Sequence, residues 1–470
     1  MISCRDRRNK VRSIIFLKGW GFPMMKRRLP GLTFALTAVL ALAGCANGSS
    51  SAPAATTAAT TSATAGATQA PVSKDPVTLR MTYWAGSQLT VDRNNAVVQL
   101  FQKAYPNIKV EAEYYAGDAY WDKMSVLAAS NNLPDVIRMD YSKITNFVNK
   151  NLLLPLDDYM KDKTINLEGV NPIHNAGGRF NDKQYGINIG NNALVMFYNP
   201  ELLEKAGVKP PGDNYTWEQY EKDLRTFKDK LGIFGDTHLT QSHFSVWLRQ
   251  HNKSLFSKGQ DALGYEDDQL FVDFFKQQLR WQKDGLVTPL GTELEVKSLE
   301  DGPFTKGQTA FGGFAYWSNH VDIMEKQLKK NVGLAPYPGD GKGMYIKPSF
   351  FHSISKSSKH PKEAALFIDF YTNNIEAAKS LNAYFGMPYN PKVIQGIQDT
   401  FTETQKRVVT YLTNVEKYAS AIDAPEPAAG AEVNKVYKNI SDEILFEKTT
   451  PEEGAKRFRK EANAILAKGK

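Results

Sequence analysis

The chain predicts an α/β fold built as two lobes, on three observations. Residues 77–139 read strand, helix, strand, helix, strand, the order of a parallel sheet with crossover helices. At 470 residues, with 42% hydrophobic and 11% aromatic side chains, the chain is too long for one core and too apolar for wholesale disorder. Farther along, the apolar stretches Tyr185–Tyr198 and Val332–Pro338 are broken by or end in Gly, Asn or Pro. Chain passages from one lobe to another have that character.

The elements follow in order. Val77, Leu79, Met81 and Tyr83 alternate with polar residues, the period of a half-buried strand. Asp92 precedes Ala96, Val97, Leu100, Phe101 and Ala104, one face of a helix that stops before Pro106-Asn107. Ile108, Val110, Ala112 and Tyr114 alternate again; a helix is expected over 119–130 and a short strand over 135–139. In such sheets ligands gather beyond the carboxyl ends of the strands, where Trp84 and Asp140-Tyr141 stand. Asn199-Pro200 opens a helix to Ala206, and Thr216-Trp217-Glu218-Gln219 has the form of a capping box. Helical periodicity continues over 243–256 and 268–284, a strand is expected over Gln308–Phe314, and His360-Pro361 starts a helix with Ala364, Ala365, Phe367, Ile368 and Tyr371 inward. The C-terminal portion reads as amphipathic helix.

The net charge of +8 would ordinarily point to nucleic acid or an anionic membrane. Its location removes that reading. The first 45 residues hold nine bases (Arg5, Arg7, Arg8, Lys10, Arg12, Lys18, Lys26, Arg27, Arg28) against Asp6, and the remainder carries 49 bases and 49 acids. Lys26-Arg27-Arg28, the apolar stretch Gly31–Ala43 and Leu42-Ala43-Gly44-Cys45 describe a secretory leader, with translation expected to start at Met24 or Met25. Cys4 falls in that leader, so no disulfide is expected in the mature protein. Residues 46–74 are rich in Ser, Ala, Thr and Gly and bury too little to offset chain entropy; they read as a tether.

Six segments then carry a resemblance. Val98–Val110, Leu127–Ile137, Leu152–Tyr159, Tyr185-Gly-Ile with Tyr198-Asn199, Pro303–Ala310 and Ile354–Ala365 stand in the order of family 1 extracellular solute-binding proteins. These are the carbohydrate-binding, maltose-binding-protein-like lipoproteins of ABC importers. The Leu-Ala-Gly-Cys ending likewise resembles a lipobox, in which Cys45 is diacylated. The resemblance implies a two-lobed periplasmic-binding-protein-like fold, with a ligand cleft between lobes joined by hinge crossings near 190–193 and 335–340. The divisions expected are 1–45 leader, 46–74 tether, 75–191 and 339–385 lobe 1, and 192–338 and 386–470 lobe 2. The implied function is capture of a sugar, an oligosaccharide, by cleft closure and delivery to a permease. The chain is expected to be a monomer lipid-anchored to the outer face of the bacterial cell membrane.

By position in the family, Trp317 and Trp84 are expected to stack on sugar rings, with Asp140, Tyr141, Trp247 and Phe385 also in the cleft. Asn192 falls where the family pattern has a glutamate, a change that keeps hydrogen bonding and drops the charge. The chemistry suits a neutral polyol: its C–H face lies flat on an aromatic ring while Asp and Asn meet its hydroxyls. Several side chains also suit other roles: Asp140 as a helix cap, Trp247 as core, and Phe350, Phe351, Tyr384 and Phe385 as core or cleft. Trp121, Trp217 and Trp281 are expected to pack.

His238, His243 and His251 form no recognised zinc spacing, so no metal is expected, and no cofactor. No nucleophile elbow, phosphate loop or dinucleotide fingerprint occurs, so no catalytic residue is expected. The alternatives are a binding protein for a non-sugar solute such as a peptide, or a secreted carbohydrate-active enzyme with paired carboxylates.

Overall fold

The computed structural model describes residues 75–468; the leader, the tether and Cys45 lie outside them. The first lobe starts with β1 (Val77–Trp84), α1 (Gln88–Ala104), β2 (Ile108–Tyr115), α2 (Gly117–Ala129), β3 (Val136–Met139) and α3 (Tyr141–Asn149). β1 pairs in parallel with β2, from Val77↔Ile108 to Trp84↔Tyr115, and with β3 on its other side. Strand β3 is buried on both faces of the sheet, and apart from Arg138 its sequence is apolar. Val136 joins the cluster of Leu79, Val97, Phe101 and Phe367, while Ile137 and Met139 join Tyr120, Met124 and Ile144 on the opposite face. Burying each such large apolar side chain contributes about 1.5–3 kcal/mol. Helix α1 begins a turn before Asp92, because the Ser87 hydroxyl caps it by accepting from the Thr90 amide at 3.3 Å.

The chain then runs through β4 (Ile187–Asn188) in this sheet and β5 (Asn191–Tyr198) in a second one. The second lobe continues through the helix Pro200–Ala206, α4 (Trp217–Leu231), α5 (Gln241–Gln250), α6 (Gln269–Lys283), β6 (Phe311–Trp317), β7 (Gly333–Ala335) and β8 (Ile346–Pro348). Strands β8 and β6 flank β5, and β7 also pairs with it, all antiparallel. Next, β9 (Phe351–Ile354) returns to the first sheet, antiparallel to β3 and β4, and α7 (Pro361–Asn373) covers that sheet. Finally α8 (Glu403–Glu416), α9 (Gly430–Leu445) and α10 (Pro451–Lys468) complete the second lobe, where Phe271 of α6 stacks on Phe458 at 5.6 Å.

Three expectations shift. The passage back to the first lobe lies at Ser349–Phe350 rather than 335–340, because β7 and β8 both remain on β5. Gly339, Gly341 and Gly343, all at positive φ, turn the chain within the second lobe instead. The helix expected over 243–256 ends at Gln250, since Asn252 adopts φ 58°. The strand expected over Gln308–Phe314 is displaced to Phe311–Trp317, after Gly307 at φ 71°.

The chain passes between lobes at Ile189–Gly190, Ser349–Phe350 and Phe385–Met387, and these segments are bonded to one another. Asn191 and Met387 exchange both backbone hydrogen bonds, at 2.8 and 3.0 Å, and the Ser349 amide donates to the Gly190 carbonyl at 2.8 Å. A Cβ at Gly190 would lie 2.6 Å from the Phe385 carbonyl oxygen, so only glycine admits this approach.

Candidate functional site

A cavity of about 370 Å³ opens where the two sheets meet these passages. The first lobe contributes the carboxyl ends of β1 and β3, where parallel-sheet ligands are expected. Trp84 ends β1 and is braced by Tyr120 at 5.3 Å, Trp121 at 5.5 Å and Phe350, edge-on, at 4.7 Å. Phe350 and Phe385 line the same wall, 6.3 Å apart between ring centroids, and the more exposed Tyr384 stands at its rim, tied to Ser87 and Thr90 by 3.1 Å hydrogen bonds. Half-buried aromatic faces of this kind remove the C–H face of a ring-shaped solute from water.

The polar wall draws on both lobes. Asp140 sits just past β3, and its carboxylate caps α3, accepting from the Ser142 amide at 2.8 Å and hydroxyl at 2.6 Å. Asn192 and Lys347 face each other across the β5–β8 ladder, and Ser349 follows in the passage. Arg138 of β3 is 1% exposed, points to the α1 and α7 side of the sheet, and also lines the cavity. Asn192 Oδ1, Ser349 Oγ and Arg138 Nε are all buried and make no hydrogen bond within the protein. Leaving such groups unpaired costs about 1–3 kcal/mol each, so all three are candidates for hydrogen bonds to a solute or to water.

Burial sets the local electrostatics. It pushes the Lys347 ammonium below its ordinary range, with Asp140 and Glu426 pulling the other way. It also pushes His320 down, which keeps that lining imidazole neutral near pH 7. His352, paired with Arg138 across β9 and β3, is fully buried and driven well down by desolvation and then by the Arg138 charge.

Of the residues expected here, Trp84, Asp140, Asn192 and Phe385 come together on this cavity. Asp140 caps α3 and also lines the cavity. Tyr141 does not line it: its hydroxyl, held protonated by burial, donates to the Asp423 carbonyl in the segment after α8. Trp247 is also elsewhere. Its ring packs edge-on to Trp217 at 5.9 Å and against Phe274, and its Nε1 donates to the Leu270 carbonyl at 3.0 Å. It is partly buried and packs against the second-lobe core. Trp317 ends β6, opposite Leu194 of β5; its side chain lies outside the described ones. Trp121, Trp217 and Trp281 pack as expected.

Arg138, Lys347 and Ser349 went unnoticed in the sequence. One signal was present: a lone arginine inside the otherwise apolar Val136-Ile137-Arg138-Met139, where every side chain is buried. Among the described residues no group of three or more His, Cys, Asp or Glu is placed to hold a metal ion.

Residues 87–378 match the family described as bacterial extracellular solute-binding protein. The arabinooligosaccharide-binding protein of Bacillus subtilis (strain 168) is 25% identical over 321 residues, 65% of this chain and 72% of that protein. An extracellular solute-binding protein of family 1 from Alicyclobacillus acidocaldarius is 28% identical, with a TM-score of 0.76 over 84% of this chain and 100% of its own. A periplasmic oligogalacturonide-binding protein from Yersinia enterocolitica, 21% identical, shares the fold with a TM-score of 0.72 over 83% of this chain and 99% of its own. With the two-lobed α/β fold, the cavity between lobes and a match over more than half its length, the chain belongs to the bacterial extracellular solute-binding protein family.

Proposed function

We propose that this protein is the solute receptor of an ABC importer, capturing a sugar, an oligosaccharide, between its lobes and handing the closed complex to a permease. The observation that carries this is the cavity wall on which braced aromatic faces stand beside unpartnered buried polar atoms, a pairing that suits the apolar face and hydroxyl rim of a saccharide. A relative that binds arabino-oligosaccharides and a structural neighbour that binds oligogalacturonides support the class. A further relative from Pyrococcus horikoshii, 26% identical over 309 residues, is described as an ABC transporter extracellular-binding protein, which supports the importer. Binding and population shift toward closure make up the mechanism; no bond is made or broken.

The ligand set proposed is Trp84, Asp140, Asn192, Trp317 and Phe385, with Tyr141 and Trp247 assigned to supporting roles. One lobe comprises 75–189 and 350–385 and the other 191–348 and 387–468. Cleavage before Cys45 and its diacylation, supported by the Leu-Ala-Gly-Cys motif, would place the receptor on the outer face of the membrane at the end of the 46–74 tether, as a monomer.

Tryptophan fluorescence and thermal shift across panels of sugars and peptides test the reading. Stabilisation by saccharides with no release of reducing ends is expected. A response to peptides alone would replace the sugar with a peptide solute, and turnover would make the chain an enzyme.

A further inference from the structure

We propose that Arg138 and Lys347 make this an acid-sugar receptor, selecting a saccharide that carries a carboxylate, such as a uronic acid unit. The inference rests on the sugar-capture reading above and specifies its substrate.

The case begins with Arg138. Its guanidinium is buried, and its partners are all neutral. Nη2 donates to Asn94 Oδ1 at 2.6 Å and to the Tyr371 hydroxyl at 3.2 Å, and the rings of Phe385, Tyr83 and Phe350 lie 4.5, 5.1 and 5.8 Å from its carbon. Nε is left without a hydrogen bond. The aromatic faces and neutral acceptors moderate the desolvation of the cation but do not neutralise it. A buried charge is usually paired, and this one borders a cavity that opens between the lobes.

Lys347 brings a second cation to that cavity from the other lobe. Asp140 is the acid on the lining, and its carboxylate is already engaged in capping α3; Glu426 lies within electrostatic reach of Lys347. His320 and His352 are neutral. The lining thus presents Arg138 and Lys347 beside Asp140. Arginine also matches a planar carboxylate better than a point cation does, because its donors are fixed in one plane. Asn192 Oδ1 and Ser349 Oγ remain to meet the ligand's hydroxyls.

The test is calorimetric titration of the full chain with oligomers of galacturonic and glucuronic acid, the matching neutral oligomers of galactose and glucose, and glucose 6-phosphate. Acidic oligomers are expected to bind at least tenfold more tightly than neutral ones, a difference of about 1.4 kcal/mol. Arg138→Met keeps an apolar stem among the three rings and removes the charge. It should fold, with an unchanged circular-dichroism spectrum, and should lose affinity for acidic oligomers by a larger factor than for neutral ones; Lys347→Met should weaken the preference in the same direction. Equal affinity for neutral and acidic oligomers would overturn the inference and leave the sugar reading standing. Tighter binding of the phosphate ester would overturn the carboxylate assignment. No response to any saccharide would remove the sugar reading as well.

Discussion

Trp84 and Trp247 are both half-buried tryptophans with aromatic neighbours, yet they have different work. Trp84 presents a face to the cavity and is braced from behind by Tyr120, Trp121 and Phe350. Trp247 is enclosed by α4 and α6 through Trp217, Phe274 and its bond to the Leu270 carbonyl. Trp84→Ala should therefore weaken saccharide binding by about tenfold or more, since stacking and apolar burial are lost together. Trp247→Ala should instead lower unfolding free energy by about 3 kcal/mol and leave Kd unchanged. Titration calorimetry and urea unfolding on both variants separate the roles; a Kd change in Trp247→Ala would return it to the site. The contrast also shows what residue-level sequence pattern can resolve. Trp84 stood out because it ends an alternating strand at a sheet's ligand-bearing edge. Trp247 sits on a helix, where one spacing serves core and cleft equally. Arg138 escaped notice because its environment is made by α1 and α7, which are distant in sequence.

At the scale of elements, α5 illustrates how a cap can carry pH dependence. The Thr240 amide donates to His243 Nδ1 at 3.0 Å, so a neutral imidazole supplies the N3 acceptor of a capping box. The same ring is fully buried and stacks on Tyr337 at 4.5 Å, and burial pushes its pKa from 6.5 to about 3. In the unfolded chain His243 takes up a proton as pH falls through about 6.5, while the folded form refuses it until near 3. Its contribution is thus fully present above 6.5 and is lost on acidification at up to about 1.4 kcal/mol per pH unit. His243→Gln keeps an acceptor at N3 and cannot titrate, so urea unfolding between pH 6 and 4 should show a shallower loss of stability than the parent. Parallel slopes would refute the assignment. The cap itself was invisible in sequence, because histidine is not an expected N3 partner. The first-lobe elements were legible, since each is a short, cleanly periodic unit of a parallel sheet. The passage expected at 335–340 was not, because an apolar run ending in Tyr-Pro-Gly serves equally as a strand turning back within its own lobe, as β7 does.

For the whole molecule, the proposed closure would act through three passages that are bonded to each other. Gly386 holds φ +108°, a conformation side-chain-bearing residues rarely adopt, and a Cβ there would approach the Asn191 amide nitrogen to 3.0 Å. Beside it a buried polar network joins the lobes: Tyr389 donates to the Asn188 carbonyl at 2.7 Å, and Asn191 Nδ2 donates to His174 Nδ1 at 2.6 Å. His174 Nε2 faces Glu416 at the end of α8 at 3.4 Å. Strain introduced at Gly386 therefore falls on the ladder between Asn191 and Met387 that couples two passages. Gly386→Ala should cost about 1–3 kcal/mol of stability, and it should also raise Kd and blunt the ligand-induced fall in radius of gyration measured by small-angle scattering. Gly285→Ala supplies the comparison. That glycine also has a positive φ, +62°, but it lies after α6, where a Cβ would meet only the flexible end of Lys228 at 3.3 Å. It should lower stability without touching Kd or the scattering change. If both variants lost stability and neither altered ligand-induced compaction, the passages would be structural links and closure would have to pivot elsewhere.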